Sequence, residues 1–139
     1  MTALSELLDI VGAEHMTFDV ADYLIHYPRQ VAFGEDAAEA VFDRYHTPEY
    51  VMCSDGIQLD REKLLAHVRP ARKRVKDVRV EVHEAVSTAD RVAARYTLTA
   101  DMANGTVIAT EIYMFGQRSA DGRLRRVDQM TRDISPGRQ

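Results

Sequence analysis

Glu111 is the acidic residue whose neighbours in the sequence most favour chemistry. It lies in the alternating segment 107–115, where Tyr113 and Phe115 occupy the same face of a predicted strand. If helices cover that face, desolvation disfavours the ionised carboxyl and can keep it protonated, as an acid or a hydrogen-bond donor. Two structural roles remain open beside this one: a hydrogen bond to a core tyrosine, and an ion pair with an arginine. The pattern makes Glu111 a candidate catalytic acid.

Asp55 and Cys53 are two further candidates, and they lie close together. Asp55 belongs to a Ser-Asp-Gly turn and reaches a pocket only if that loop folds inward; otherwise it is a turn residue bonding its own backbone. Cys53 needs a neighbouring base, such as His46 or His67, to act as a nucleophile, and is otherwise a small buried apolar residue. The sequence pattern around Asp55 and Cys53 does not by itself assign a role to either residue.

Composition excludes several classes of function. A net charge of −4 argues against a nucleic-acid protein, and the basic run at 69–76 is typical of a solvated helix end. One cysteine permits no internal disulfide, and the histidines lack paired metal-ligand spacing, so we expect no metal site. Phosphate-loop and redox motifs are also absent, and we expect no cofactor. No segment has the apolar length of a signal peptide or membrane span, which favours a cytoplasmic protein with no membrane partner.

Helical patterns come first in the chain and alternating patterns come last. The predicted helices cover 5–11, then Thr17 or Asp19 to Gly34 with a kink or break near Pro28, Asp36 to Tyr45, and Asp60 to Pro70. The predicted strands are a short one at 50–53 and four longer ones at 78–87, 91–103, 107–118 and 123–134, the last two hairpins turning at Asn104-Gly105 and Asp121-Gly122. This order predicts an α+β domain with helices gathered on one face of a curved antiparallel sheet.

The segment 107–115 is apolar on both strand faces. Tyr96 and Leu98 share one face of the preceding strand, but here Ile112 and Met114 are as apolar as the residues between them. With Glu111 turned toward the helices, Ile112 and Met114 form an outer face that needs a second cover. We therefore expect a homodimer that pairs the outer faces of two sheets.

Three stretches together resemble a known superfamily. They are FDRYHTPEYVMCSDG (42–56), LDREKLLAHV (59–68) and EIYMFGQRSADGRLRRV (111–127). They resemble the nuclear-transport-factor-2-like superfamily and, within it, the SnoaL-like polyketide cyclases and steroid delta-isomerases. The resemblance implies a cone-shaped, cystatin-like roll with a deep apolar pocket between helices and sheet, a SnoaL-like domain over 17–135 and an N-terminal extension over 1–16.

The resemblance also suggests roles for two residues. Tyr27 is similar in position to the oxyanion-binding tyrosine of ketosteroid isomerases, and Glu111 to their protonated aspartic acid. A phenol and a neutral carboxylic acid that meet at one point would stabilise an enolate. The carboxylate that moves the proton in those isomerases would fall at Cys53 or Ser54, so that part of the pattern is missing. Asp55, two residues later, is the nearest substitute.

Two other residues complete the candidate acid–base set. His26, beside Tyr27, lines the pocket as an acid–base group or is a partly buried structural histidine. Asp128 is similar to the last-strand aspartate of some cyclase-like members, but strand parity set by Val127 and Gln129 points it away from the pocket unless a bulge intervenes. The residues predicted to contact the substrate are Tyr23, Cys53, Tyr96, Tyr113 and Phe115.

The function predicted from these residues is cofactor-independent proton chemistry on an apolar, oxygenated small molecule. Isomerisation, cyclisation and dehydration all fit, with Tyr27 and Glu111 on the oxyanion and Asp55, His26 or Asp128 moving the proton. A non-catalytic ligand-binding or protein-interaction module of the same fold is the alternative, because the first-strand carboxylate is missing.

Overall fold

The protein, seen in a computed structural model that describes residues 19–137, is an α+β domain. The described helices are α1 (Val20–Phe33), α2 (Ala38–Tyr45) and α3 (Arg61–Arg74). The strands are β1 (His46–Ser54), β2 (Ile57–Asp60), β3 (Val75–Ser87), β4 (Arg91–Met102), β5 (Val107–Arg118) and β6 (Leu124–Asp133). The predicted extension 1–16 and its opening helix at 5–11 lie outside the described residues.

The six strands form one curved sheet in the order β2-β1-β6-β5-β4-β3. All neighbouring strands are antiparallel except β1 and β6, which run parallel. The helices lie on one face of this sheet, with α1 packed mainly against β3. The predicted fold class, helices on a strongly curved and mainly antiparallel sheet, is confirmed, whereas the short strand β2 was not predicted.

Two of the predicted helix starts are confirmed by their caps. The Asp19 carboxylate accepts a hydrogen bond from the Ala21 backbone N–H (3.0 Å), and Asp60 accepts one from Lys63 (2.9 Å). The predicted cap at Asp36 is wrong. The helix α2 begins after Ala37 without a side-chain cap. The Asp36 carboxylate instead pairs with Arg44 (3.1 Å).

The prolines do not end the helices in which they lie. Pro28 is inside α1 and Pro70 is inside α3, so of the predicted kink or break near Tyr27 the break does not occur, and α3 does not end at Pro70. Around Pro28, Leu24 and Val31 are both buried, so packing on either side holds the helical path although one backbone hydrogen bond is lost. In α3 the turn after Pro70 is tied down by Arg72, whose Nε donates to the Val31 carbonyl (2.7 Å).

The face of β5 that meets the helices is the reverse of the predicted one. Tyr96 and Ile112 are direct cross-strand partners and both line the inner face, as does Met114. Because neighbours along a strand point to opposite faces, Glu111 and Phe115 face outward. The prediction failed because both sides of 107–115 are apolar. The hairpin register around Asn104-Gly105 resolves the ambiguity, since it pairs Ile112 with the inward-facing Tyr96.

Candidate functional site

A cavity of about 400 Å³ lies between the helices and the inner face of the sheet. This volume falls within the range of small-molecule sites, about 300–1,000 Å³. Most of its wall is aliphatic, from residues such as Leu64 of α3 and Ile112 of β5. The polar groups on the described wall come from four tyrosines and one glutamine: Tyr23, Tyr27, Tyr50, Tyr96 and Gln129.

The tyrosines reach the cavity from three elements. Tyr23 and Tyr27 are four residues apart on α1, so they share one helix face, and their rings stack with centroids 5.3 Å apart. Tyr50 projects from β1 and Tyr96 from β4. Burial raises the pKa of Tyr27, Tyr50 and Tyr96 well above the ordinary value of 10.0, so these phenols are neutral hydrogen-bond donors.

Tyr50 is a cavity residue whose hydroxyl is buried without a partner. Its side chain is 1 % exposed, and its hydroxyl oxygen makes no hydrogen bond within the described part of the chain. A buried hydroxyl without a partner costs about 1–3 kcal/mol. The Tyr50 side chain lines the cavity, so this hydroxyl is a donor that an oxygen of a bound molecule would satisfy if the molecule reaches it.

Tyr23 forms a hydrogen-bonded chain with His46. The Tyr23 hydroxyl lies 2.8 Å from His46 Nε2, and His46 Nδ1 lies 2.8 Å from the Phe42 carbonyl oxygen. A carbonyl only accepts, so Nδ1 carries the proton and a neutral imidazole offers Nε2 as the acceptor for Tyr23. The chain therefore runs from the cavity wall through Tyr23 and His46 to the end of α2.

His46 is held neutral inside an aromatic cage. It is 1 % exposed, and its ring lies 4.2 Å from Phe42, 4.4 Å from Tyr50 and 4.9 Å from Tyr27, centroid to centroid. Burial lowers the pKa of His46 to about 4. The hydrogen bond to the Phe42 carbonyl and, after it, the nearby Asp43 carboxylate raise the pKa of His46, but burial outweighs them.

Comparison with known proteins assigns the family. The family profile of the SnoaL-like domain matches residues 27–127. The chain belongs to the SnoaL-like family. No curated protein matches it.

Solved structures with the same fold are similar to this SnoaL-like chain at low sequence identity. An NTF2-like protein of unknown function from Exiguobacterium sp. 255-15 has 16% identity and a TM-score of 0.65, covering 82% of this chain and 98% of that one. IdmH from Streptomyces antibioticus, provisionally described as a polyketide cyclase, has 16% identity and a TM-score of 0.61, covering 81% and 88%. A protein with a ketosteroid isomerase-like fold from Catenulispora acidiphila has 10% identity and a TM-score of 0.57, covering 79% and 82%.

Three of the residues predicted for the site line the cavity of this SnoaL-like domain: Tyr23, Tyr27 and Tyr96. Glu111 does not join them. Its Oε1 pairs with Arg132 Nη2 (3.0 Å) on the outer face of the sheet, which is the arginine ion pair left open as an alternative. The predicted meeting of Tyr27 and Glu111 at one point is therefore wrong.

The predicted proton-moving carboxylates also lie elsewhere. Asp55 is an exposed turn residue whose carboxylate accepts hydrogen bonds from the Thr131 backbone N–H (2.8 Å) and from the Thr131 hydroxyl. These hydrogen bonds lower the pKa of Asp55. Asp128 faces outward, as the parity of its neighbours predicted, and makes a bidentate pair with Arg126 at 2.8 and 3.0 Å. The Asp55 hydrogen bonds join the β1–β2 turn to β6, the Asp128 pair lies within β6, and neither carboxylate lines the cavity.

The remaining predicted site residues are on the outside of the cone. His26 is exposed on α1. Cys53 is half-buried on β1 and pairs in register with Asp128, away from the cavity wall. Tyr113 and Phe115 are 50% and 71% exposed on the outer face. The predicted contact of Tyr113 and Phe115 with a substrate in the cavity is therefore wrong. The reason is the same as for Glu111: β5 presents its other face to the helices.

Sequence reasoning missed Tyr50 in the cavity wall and His46 behind Tyr23. Tyr50 alternates with Met52 on β1, and both line the cavity, so parity along that strand was the available signal. His46 carried no such signal, because its partner Tyr23 is 23 residues away in the sequence. Only the packing of α1 against the junction of α2 and β1 brings the two together.

Residues 19–137 contain neither a metal-ligand cluster nor a membrane-spanning helix. No group of three or more His, Cys, Asp or Glu side chains in that range is arranged to hold a metal ion. No helix in the same range combines the length and apolar character needed to cross a membrane.

Proposed function

We propose that this SnoaL-like protein binds an apolar, oxygenated small molecule in the cone cavity and carries out cofactor-independent proton chemistry on it. The observation that carries the proposal is the buried Tyr50 hydroxyl, unpartnered beside a cavity with largely apolar walls. Isomerisation, cyclisation and dehydration remain the reaction classes in question. The walls favour a hydrocarbon framework, and the phenols favour a carbonyl or hydroxyl oxygen on it.

Tyr27 and Tyr50 replace the predicted pair of Tyr27 and Glu111 as donors to that oxygen. Both phenols are neutral because burial raises their pKa, so each can donate to an oxygen that gains negative charge. In an apolar, water-poor cavity such donors stabilise an enolate more strongly than water does. This keeps the predicted oxyanion role for Tyr27 and adds a partner from β1.

The substitution Tyr50→Phe tests the proposal in two ways. The free protein should become more stable, by about 1 kcal/mol or more, because a buried hydroxyl without a partner is removed. Affinity for an oxygenated probe should fall roughly tenfold, because one hydrogen bond is lost. We suggest 2-tetralone, a small bicyclic ketone, as the probe, with binding followed by NMR titration and stability by urea unfolding.

Tyr45→Phe is the matched control. The Tyr45 ring packs against Tyr23 and Tyr27, and its hydroxyl donates to Gln30 Oε1 (2.8 Å). Tyr45 is not part of the cavity wall. Its substitution should lower stability and leave probe affinity unchanged. Loss of stability in Tyr50→Phe with unchanged affinity would contradict the proposal, since the hydroxyl would then be structural.

A non-catalytic binding module remains the second candidate function. It is favoured by one observation: no Asp or Glu is found among the described residues of the cavity wall. A module of this kind would bind 2-tetralone without speeding exchange of its acidic protons for deuterium in D₂O. The two functions are therefore separated by following the probe's proton signals over time.

We also propose that the protein forms a homodimer through the outer face of the sheet. Apolar side chains on this face are largely exposed, with Phe115 at 71%, Met130 at 71% and Val86 at 67%. A groove of about 360 Å³ runs beside Phe115 and Val86. Sheet-to-sheet pairing would remove these side chains from water. Burial of apolar surface is the main favourable contribution to most subunit association.

Phe115→Glu tests the dimer. It should yield a monomer in light scattering at micromolar concentration, because a charge would be buried in the interface. Ile57→Glu is the control, because Ile57 is 64% exposed on β2 and its strand pairing with Ser54 places it off the outer face. A wild-type protein that is monomeric under these conditions would overturn the dimer without affecting the cavity.

A further inference from the structure

We propose that Tyr23 and His46 form a proton relay, in which Tyr23 exchanges a proton with the bound molecule and His46 accepts it through Tyr23. This inference rests on the proposed function and supplies what that function lacks, a group that moves the proton. The candidates taken from the sequence, Asp55, Asp128 and His26, all lie outside the cavity wall. Tyr23 lines it, with His46 directly behind.

The direction of the relay is set by hydrogen bonding. Phe42 is in the last turn of α2, and its carbonyl accepts from His46 Nδ1 (2.8 Å), which fixes both the tautomer and the ring orientation. His46 Nε2 is then a lone-pair acceptor facing the Tyr23 hydroxyl at 2.8 Å. A phenol placed between a ligand and a neutral imidazole can take up one proton as it gives up another.

His46 is comparable in base strength to a solvated carboxylate. Its pKa of about 4 is close to that of an ordinary aspartate in water, about 3.9. Unlike a carboxylate, it is uncharged before reaction and can be buried at little cost. Phe42, Tyr50 and Tyr27 pack around the ring and keep water from it, so the imidazolium is disfavoured at rest and would exist only until the proton returns to carbon.

The step balances as a proton transfer coupled to enolate formation. A C–H bond next to the ligand's carbonyl breaks, and its electron pair becomes the enolate. That proton forms an O–H bond on Tyr23 Oη, while the original Tyr23 hydroxyl proton forms an N–H bond on His46 Nε2. The enolate oxygen accepts a hydrogen bond from Tyr50, and reversal of the same steps returns a proton to carbon.

The experiment measures deuterium exchange of the acidic methylene of 2-tetralone in D₂O, alongside its binding, both by proton NMR. Tyr23→Phe and His46→Gln should each slow the protein-dependent exchange by roughly 10²-fold or more and change affinity less than threefold. Gln offers an amide oxygen that can accept from Tyr23 but cannot take up a proton, so it separates hydrogen bonding from proton transfer. The Tyr45→Phe variant should exchange the methylene protons of 2-tetralone at the wild-type rate.

Failure of the relay and failure of the proposed function give different results. If 2-tetralone binds and exchanges, and His46→Gln exchanges at the wild-type rate, the relay is wrong and the cavity function stands. If 2-tetralone binds without protein-dependent exchange, the relay and catalysis are both wrong and the binding module is right. If the probe does not bind, the proposed function fails.

Nitrogen-15 NMR of the histidines tests the ground state of the relay without any ligand. It should show His46 neutral at pH 6, protonated on Nδ1, with an Nε2 signal that shifts in Tyr23→Phe. Because Tyr23→Phe removes a single hydroxyl, it remains informative if His46→Gln does not fold. A proton on Nε2, or an imidazolium at pH 6, would overturn the relay regardless of ligand binding.

Discussion

Lowering the pH from about 7 to about 5 should destabilise the protein through His46. The folded state holds this imidazole with a pKa of about 4, against 6.5 for an ordinary histidine. Between these values the unfolded chain binds a proton that the folded protein does not. The stabilisation is therefore complete above pH 6.5 and is lost progressively as the pH falls toward 4.

The size of the effect follows from the two pKa values. For a single group with these two pKa values, proton linkage lowers the free energy of unfolding by about 2 kcal/mol between pH 7 and pH 5, and by about 3 kcal/mol in total. Charged neighbours do not cancel it. The Asp43 carboxylate is paired with Arg61 at 2.9 and 3.0 Å, and the Arg123 guanidinium donates to the carbonyl oxygen of His46 at 3.3 Å.

Urea unfolding at the two pH values measures this directly. Wild type should lose about 2 kcal/mol on going to pH 5, whereas His46→Gln should lose much less, although its stability at pH 7 is lower. His26→Gln is the control, because His26 is exposed and its substitution should leave the pH dependence unchanged. Equal pH dependence in wild type and His46→Gln would refute the neutral, buried imidazole.

Three further substitutions test the packing and the helix caps. Gly116→Ala should lower stability by about 1–3 kcal/mol in urea unfolding, because the added methyl would lie 2.7 Å from Val92 Cγ2; an unchanged midpoint would show that the strand yields there. Asp60→Ala should cost about 1 kcal/mol through loss of the α3 cap, whereas Asp36→Ala, which removes only an exposed ion pair, should cost less than about 0.5 kcal/mol. Equal losses in the two would contradict the assigned caps.

The fold was predictable because local signals agreed with one another. Asp19 and Asp60 are cap residues before apolar helical patterns, and Asn104-Gly105 connects two alternating segments. Each of these features acts within a few residues along the chain. At Pro28 and Pro70 the helices continue for the opposite reason, because tertiary contacts outweigh the local preference of proline. Leu24 and Val31 are buried on either side of Pro28, and Arg72 is hydrogen-bonded to Val31 after Pro70.

The candidate site was only partly predictable, because it depends on which face of a strand is covered. Both faces of 107–115 are apolar, so periodicity alone could not place Glu111. Tyr23, Tyr27 and Tyr96 reach the cavity as predicted. The pairing of Tyr23 with His46 is a tertiary contact between a helix and a strand start, and no spacing rule in the sequence encodes it.

A crystal structure of the protein soaked with 2-tetralone would show whether the cone cavity binds and orients a ketone as proposed. The ketone should lie inside the cavity, with its carbonyl oxygen within hydrogen-bonding distance of Tyr50 Oη and its acidic methylene facing Tyr23. Density for the ketone only in the outer groove beside Phe115, or in the cavity with its oxygen turned away from Tyr50, would contradict the proposal.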